Sequence, residues 1–242
     1  MKTQSAWILF TVLFSGVAAG QLFFPDGSEQ GTAGITLDRV QILNSDGTDS
    51  ENGTALLNAL SAQASSQTVD VILLEPGTYD LGASSLNLVD FVDLRGFGSN
   101  KTSIQGNAAV LVNGANFVGL TNLQLNPFGN GKTALKIDGD RMTLVDVRIQ
   151  PGATSGTNRG IQVLNGGEAE LRAVEISLFT QATGGSYTGL EVTGEQGTNG
   201  SSADLGAGCD IVLSDDNGNM ALRGVSVGDG TATMAEDGVE VE

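Results

Sequence analysis

Three side chains in the middle of the chain could carry acid–base chemistry. Arg148 or Lys136 could act as a general base. Asp146 lies two residues before Arg148 in the sequence. The sequence contains no histidine, which removes imidazole catalysis, every Ser-His or Cys-His nucleophile and the zinc sites that need His ligands. Arg148, Lys136 and Asp146 are therefore the candidates for catalysis by this chain.

Polar side chains also recur at matching positions in short apolar runs. Side chains alternate along a strand, and equivalent residues of stacked strands lie side by side, so each set should form a column on one outer face. The spacing predicts that Arg148 and Glu175 are neighbours. The first predicted column consists of Gln124, Arg148, Glu175 and Ser226. The second consists of Lys136, Gln162 and Glu191.

Two interpretations of these columns stay open. They could form a polar, partly basic face that binds a sugar or a carboxylate, with Glu175, Gln162 and Gln124 as the binding residues. They could instead be solvated cross-strand pairs that contribute about 0.2 to 0.5 kcal/mol each. The second interpretation is favoured, because exposed pairs of this kind are common on sheets.

Oxygen-rich turns indicate where a metal could bind. Asp215, Asp216 and Asn217 follow one another, and Asp138 and Asp140 flank a glycine. Calcium takes about six or more oxygen ligands from such loops. Neither segment has the EF-hand spacing, and turns favour Asp, Asn and Gly without any metal. Calcium at residues 215–217 is therefore the one cofactor left open, and no other is expected.

The elements that must position these side chains repeat along the chain. An apolar residue, then Asn, Asp or Thr, then Gly recurs about every 25 to 28 residues, at Val112-Asn113-Gly114, Ile137-Asp138-Gly139, Leu164-Asn165-Gly166 and Val192-Thr193-Gly194. A unit of two or three short strands cannot bury its apolar face alone, but it can when it stacks on its neighbours. The repeats therefore predict an all-β parallel β-helix with coils about 4.8 Å apart. The stretch 194–208 lacks a second strand and is predicted to protrude as a loop.

Hydropathy divides the chain into three segments. Residues 1–20 are typical of a secretory signal peptide, because a basic start is followed by a short apolar run and small residues. Residues 21–52 are predicted to form an N-terminal leading segment and residues 53–242 the β-helix. No cap is visible at the C-terminus, where Glu240 and Glu242 could blunt the last edge. A β-helix truncated at the C-terminus is slightly favoured.

A short helix is predicted at the start of the β-helix. Apolar residues from Thr54 to Ala62 recur at helical spacing, and Asn52 and Thr54 can cap the first turn. A helix at this position could be a surface helix packed on a sheet or, more specifically, a cap over the open end of the solenoid.

The net charge limits the classes of partner that the chain can bind, and the cysteine content excludes an intramolecular disulfide. Twenty-eight acidic against 11 basic residues give a net charge of −17, a field that repels nucleic acid and anionic membranes. Neither nucleic-acid binding nor membrane insertion after signal cleavage is expected. Cys209 is the only cysteine, so it cannot form an intramolecular disulfide and is predicted to be a small buried hydrophobe.

One segment resembles a known superfamily. Val71–Tyr79 runs from an apolar strand into Pro-Gly-Thr-Tyr, which resembles the opening coil of the pectin-lyase-like superfamily, and Val92–Gly98 and Thr102–Gly106 resemble its next strands. The resemblance extends at the level of pattern from roughly residue 50 to the end. It implies a right-handed, single-stranded parallel β-helix with a short N-terminal capping helix.

The catalytic motifs of that superfamily are missing. The sequence has no Gly-His-Gly, Asn-Thr-Asp or Arg-X-Pro-X-X-Arg, and no counterpart of the esterase aspartates is found around Asp138, Asp140 or Asp146. The sequence therefore predicts a secreted or surface-exposed module that is structural or binds a polysaccharide or cell-surface glycan. The alternative is a calcium-dependent lyase that acts on an acidic polysaccharide through Arg148, Lys136 and Asp146.

Overall fold

A computed structural model describes residues 39–65, 68–152, 155–180, 184–194, 200–215, 220–228, 231–234 and 239–241. Within these ranges the chain forms one α-helix, α1 (Asp49–Ser65), and nineteen strands. The strands are β1 (Val40–Leu43), β2 (Val71–Leu74), β3 (Gly77–Asp80), β4 (Leu86–Asn87), β5 (Asp93–Arg95), β6 (Thr102–Gly106), β7 (Val110–Asn113), β8 (Val118–Pro127), β9 (Thr133–Asp138), β10 (Arg141–Ile149), β11 (Thr157–Leu164), β12 (Glu168–Arg172), β13 (Glu175–Thr180), β14 (Gly185–Thr193), β15 (Ser202–Leu205), β16 (Cys209–Asp215), β17 (Met220–Val227), β18 (Thr231–Met234) and β19 (Val239–Val241).

The strands stack as coils that contribute to three sheets. The first sheet runs β1-β2-β5-β8-β10-β12-β15-β18, the second β3-β6-β8-β10-β13-β16-β19, and the third β4-β7-β9-β11-β14-β17. The first two sheets share β8 and β10, which are long enough to serve both. All strand pairs in the described ranges are parallel. This pairing confirms the predicted all-β parallel β-helix with an N-terminal helix.

Apolar residues of successive coils lie in register and form the interior. The ladder of the first sheet is Ile72, Leu94, Leu120, Leu144, Leu171 and Leu205. The ladder of the third sheet is Leu86, Val112, Leu135, Ile161, Leu190 and Val225. All of these side chains except Val225 are fully or almost fully buried. Each coil is thus shielded by its neighbours, and alternation leaves the remaining side chains on the outer faces.

Residues in the left-handed backbone conformation turn the chain between the first two sheets. Asn122 (φ 56°) and Asp146 (φ 51°) bend β8 and β10, and Ala173 (φ 49°) separates β12 from β13. Asn and Asp tolerate this conformation because their short polar side chains form local hydrogen bonds. Asp146 therefore lies at a corner, where its carboxylate accepts a hydrogen bond from the Ser99 hydroxyl at 2.9 Å.

Helix α1 begins earlier than predicted. Thr48 precedes the first turn, and the Glu51 amide donates to its hydroxyl at 3.3 Å while the Thr48 amide donates to the Glu51 carboxylate at 2.8 Å. This reciprocal pair is a capping box. The predicted start at Asn52 and Thr54 is therefore wrong by about one turn, because the helix already begins at Asp49.

The helix packs closely on β3. Asn52 is buried and its amide donates to the Thr78 carbonyl at 3.2 Å. A side chain on Gly53 would collide with the main chain of Asp80, so only glycine allows this approach. Leu56 and Leu60 are buried beneath the helix. Helix α1 therefore covers the N-terminal end of the interior, as the sequence predicted.

The structure corrects the predicted outline of the repeats. The stretch 194–208 contains β15, which pairs with β12, so the second strand predicted to be missing there is present. Strand β1 lies within the predicted leading segment but already pairs with β2, so the first sheet begins before residue 53.

The triplet repeat gave the period but not the register. Val163, not Leu164, pairs with Ile137 and Val192. Strand β11 continues one residue further before the left-handed turn at Asn165, which shifts the Asn-Gly pair relative to the strand.

Candidate functional site

The three catalytic candidates lie on different parts of the solenoid. Arg148 is in the part of β10 that pairs with the second sheet, Lys136 is in β9 of the third sheet, and Asp146 is at the corner of the first two. Arg148 is 2.7 Å from the Glu175 carboxylate, and Lys136 is 2.5 Å from the Asp138 carboxylate. Strands of different sheets thus carry Arg148 and Lys136, and a catalytic role for Arg148, Lys136 and Asp146 stays a prediction.

The column of Gln124, Arg148 and Glu175 is present in the second sheet. Arg148 pairs in register with Gln124 on one side and with Glu175 on the other, which confirms the predicted neighbours. The Gln124 amide donates to the Gln150 side chain at 3.0 Å. These side chains bond to one another, and ligand binding by Gln124 and Glu175 stays a prediction.

The column of Lys136, Gln162 and Glu191 is present in the third sheet. The Glu191 carboxylate accepts hydrogen bonds from Arg159 at 2.5 Å and from Gln162 at 2.6 Å. Ser226 pairs with Glu191 and not with Glu175, so its predicted place in the other column is wrong. The reason is that β17, which resembles the second strand of a repeat in sequence, belongs to the third sheet.

The metal candidates fall largely outside the described residues. Asp216 and Asn217 lie outside them, and Asp215 is described only as the last residue of β16. Among the residues that the structure describes, no group of three or more Cys, Asp or Glu side chains could hold a metal ion. Calcium binding at residues 215–217 stays a prediction.

The outer face of the first sheet carries two neighbouring cavities. The larger, of about 360 Å³, is lined by Asp93, Phe117, Val118, Gly119, Thr121, Arg141 and Thr143. The smaller, of about 250 Å³, is lined by Arg141, Met142, Glu168, Ala169, Glu170, Ser202, Ala203 and Asp204. Arg141 lines both cavities, and we call the surface formed by these residues the first-sheet groove.

Small residues keep the floor of the larger cavity open. Gly119 and Thr143 occupy paired outer positions of β8 and β10. The Gly119 amide donates to the Asp93 carboxylate at 2.7 Å, and a Cβ on Gly119 would lie 3.0 Å from that carboxylate. A larger residue at position 119 would therefore disturb the Asp93 contact as well as fill the cavity.

Two stacked phenylalanine rings continue the rim of the groove. The Phe91 and Phe117 ring centroids are 5.3 Å apart with the ring planes 9° from parallel, and the side chains are 59% and 57% exposed. The Phe117 amide donates to the Arg141 carbonyl at 2.8 Å, and Arg141 pairs in turn with Glu168. The aromatic pair and the charged residues therefore form one column along the groove.

The backbone at both phenylalanines is unusual. Phe91 has a φ of 62° and Phe117 a φ of 56°, in the left-handed region that bulky side chains rarely adopt. This conformation costs about 1 to 2 kcal/mol for an ordinary L-residue. Turns elsewhere in the chain use Gly139 or Asn165 in this region. Two exposed rings held in this strained conformation are therefore candidates for a binding surface.

Each guanidinium on this face has a carboxylate partner on the same face. Within the described residues, Arg95 is 2.8 Å from Asp93 and Arg141 is 3.5 Å from Glu168. Arg172 contacts the Glu170 carboxylate with two nitrogens. With Asp204 added, four carboxylates face three guanidinium groups, so the groove carries a small negative surplus.

Phe91 and Phe117 were not among the site residues predicted from the sequence. A signal was present, because each phenylalanine directly precedes an apolar residue and lies at the start of a strand in consecutive coils. The triplet repeats did not show it, since Arg141 and Glu168 replace the aromatic residue at the same place in the next coils.

Comparison with known proteins gives no sequence match and a weak structural likeness. No protein-family model and no curated protein matches the sequence. Among solved structures, the chain is similar to pectin methylesterase PemA from Erwinia chrysanthemi, with a TM-score of 0.45 and 11% identity over 73% of this chain and 66% of that one. The chain thus spans just under two thirds of that protein's length. The β-helix fold rests on the parallel strand pairs, and membership of the pectin-lyase-like superfamily stays a prediction.

The length and hydropathy of a helix determine whether it can cross a membrane. In the part of the chain that the structure describes, no helix is long and apolar enough to span a bilayer.

Proposed function

We propose that this chain is a secreted, non-catalytic β-helix module that binds a polysaccharide or cell-surface glycan through the first-sheet groove. The observation that carries the proposal is the exposed stack of Phe91 and Phe117 beside two polar cavities. The faces of sugar rings present C–H groups that pack on aromatic rings, and the hydroxyls at the ring edge need polar partners. The groove offers both kinds of surface along one column.

Catalysis receives no comparable support. The superfamily's catalytic motifs are absent from the sequence, and Arg148 and Lys136 lie on different sheets. The lyase alternative has a direct test in incubation with polygalacturonate and calcium, for which we expect no rise in ultraviolet absorbance from unsaturated ends. A sustained calcium-dependent rise would show that the chain is an enzyme.

Substitution of Phe117 tests the binding proposal. Phe117→Ala removes half of the aromatic stack, and we expect at least about a tenfold weaker affinity for the preferred glycan in isothermal titration calorimetry. Phe128 is also exposed but follows β8 near the second sheet, so Phe128→Ala is the matched control and should bind like the wild type. Equal affinity of all three proteins, or no glycan binding at all on a broad array, would contradict the proposal.

Secretion is the second part of the proposal and depends on residues 1–20. Expression of the full chain in a secreting host should release a protein that begins near residue 20 or 21, which N-terminal sequencing of the medium can check. Retention of the intact leader in the cell would contradict it.

A further inference from the structure

We infer that the first-sheet groove selects neutral glycans over polymers of uronic acids, with Glu170 and Asp204 as the residues that determine this specificity. The inference rests on the proposed function, since it concerns which glycan the same groove accepts. It deepens that function by naming the chemical class of the ligand.

Glu170 and Asp204 lie side by side in the smaller cavity. They pair in register on β12 and β15, and Glu170 pairs with Thr143 of the larger cavity on its other side. Neighbouring strands are about 4.8 Å apart, so a glycan that follows the column from Phe117 meets these two carboxylates within a few coils.

The groove has no guanidinium set aside for a ligand carboxylate. Among the described residues of this face, Arg95, Arg141 and Arg172 each already contact a carboxylate of the protein. A uronate that contacts one of these guanidinium groups also comes close to the carboxylate that the guanidinium already contacts, so the protein carboxylate repels it. Hydroxyl groups meet no such cost, because a carboxylate accepts their hydrogen bonds readily.

Salt does not remove this discrimination. Physiological salt screens charges over about 8 Å, which is longer than the spacing of adjacent strands. A uronate bound in the smaller cavity therefore experiences a substantial part of the repulsion of Glu170 and Asp204, although Arg172 offsets part of the Glu170 charge, whereas more distant charges of the chain are mostly screened.

The chain offers a matched pair of variants. Glu170→Gln with Asp204→Asn removes two charges from the groove. Glu191→Gln with Asp138→Asn removes two charges from the third sheet, where Glu191 contacts Arg159 and Asp138 contacts Lys136. Both double variants have the same net charge, so any difference between them belongs to the groove.

The measurement is binding to an array of neutral and uronate oligosaccharides of equal length, followed by titration of the best of each class. The wild type should prefer the neutral ligand. The groove variant should gain at least about fivefold in uronate affinity and keep its neutral affinity within about twofold, while the control variant changes neither.

Three results would overturn the inference: equal or tighter wild-type binding of uronates, no gain in the groove variant, or an equal gain in the control. Each leaves the effect of Phe117→Ala intact, so the groove would still be a glycan site of another class. Failure of the proposed function looks different, because no ligand of either class would then depend on Phe117.

Discussion

The first and third sheets share one backbone plan, and their outer faces differ in the size of the side chains. In the first sheet, Gly119 and Thr143 leave open cavities, and the Arg141–Glu168 pair at the rim is 64% and 55% exposed. In the third sheet, Arg159 and Glu191 form a closer pair at 2.5 Å that is only 28% and 23% exposed. The same strand spacing thus supports a groove on one face and a closed hydrogen-bonded layer on the other.

This difference shows where function can reside on a solenoid. The interior must stay apolar in every coil, so it leaves little freedom to the sequence. The outer positions are constrained only by their neighbours across the strands. Small residues beside exposed rings form a binding surface, whereas long residues that satisfy one another form a structural ladder.

The largest effect is expected where both faces depend on the same interior. Leu144 is fully buried between Leu120 and Leu171. Leu144→Ala should lower the free energy of unfolding by about 2 to 5 kcal/mol, because it removes buried methylene groups and leaves a cavity. Urea unfolding measures this loss. Thr143→Ala, on the outer face of the same strand, is the control and should cost less than about 1 kcal/mol.

A small effect of Leu144→Ala on stability would contradict the premise that the first and third sheets enclose the same interior. It would mean that the coils do not share a close-packed interior, and that the two outer faces could not be treated as surfaces of one support. Loss of glycan binding in Leu144→Ala at temperatures where it stays folded would instead indicate that the interior positions the groove.

The interior was predictable from the sequence because its pattern repeats. Leu120, Leu144 and Leu171 begin matching runs, and the structure pairs them as predicted. Leu222 begins a run of the same appearance but pairs with Tyr187 in the third sheet. An alternating strand has the same pattern in any sheet of a β-helix, so the apolar pattern alone cannot assign a run to its sheet.

The groove was not predictable from the same pattern. Phe91 and Phe117 share a column with Arg141 and Glu168, so no single residue type repeats along the whole column. The left-handed backbone at Phe91 and Phe117 has no sequence signature, since Gly and Asn are the residues that usually indicate it. A functional column is recognised only when the register of the coils is known.

A medium effect is expected on the third face. Glu191 accepts hydrogen bonds from both Arg159 and Gln162. Glu191→Ala should lower the free energy of unfolding by about 1 kcal/mol, because it leaves two partly buried donors without their acceptor. Glycan affinity should not change, since the third face is not part of the groove. Calorimetry on the same preparation measures both quantities.

Phe117→Asn on the first sheet provides the counterpart of Glu191→Ala on the third sheet. Asparagine tolerates the left-handed backbone, so this variant should change the unfolding free energy by less than about 1 kcal/mol while glycan affinity falls. Glu191→Ala should therefore lower stability without changing glycan affinity, and Phe117→Asn should lower glycan affinity with little change in stability. A loss of glycan affinity in Glu191→Ala would show that the third face also contributes to the site.

The smallest effect is expected at the turn that joins the two faces, where two carboxylates have opposite pKa shifts. Hydrogen bonds from Lys136 and Asn165 lower the pKa of Asp138. Burial raises the pKa of Asp140, and the nearby charges of Asp90 and Asp138 raise it further. Hydrogen bonds on the third face thus stabilise the charge of Asp138. The charge of Asp140, at the edge of the first sheet, is disfavoured.

The two shifts predict opposite dependences on pH. A lowered pKa stabilises the fold above the unfolded value of about 4 and loses that contribution as the pH falls through the folded value. Asp138→Ala should therefore lose up to about 0.5 kcal/mol at neutral pH, a difference that fades as the pH falls below about 4. A raised pKa stabilises the fold at low pH and loses that contribution as the pH rises through the folded value. Asp140→Ala should therefore gain a similar amount between acidic and neutral pH relative to the wild type.

Urea unfolding of both variants and the wild type, from about pH 3 to about pH 7, measures the two curves. The pH-independent cost of each alanine cancels, because only the change with pH is compared. The Asp140 curve should turn at higher pH than the Asp138 curve. Curves that turn together or with the same sign would mean that the turn is one electrostatic unit, and the boundary between the closed third face and the open first face would then not lie between Asp138 and Asp140.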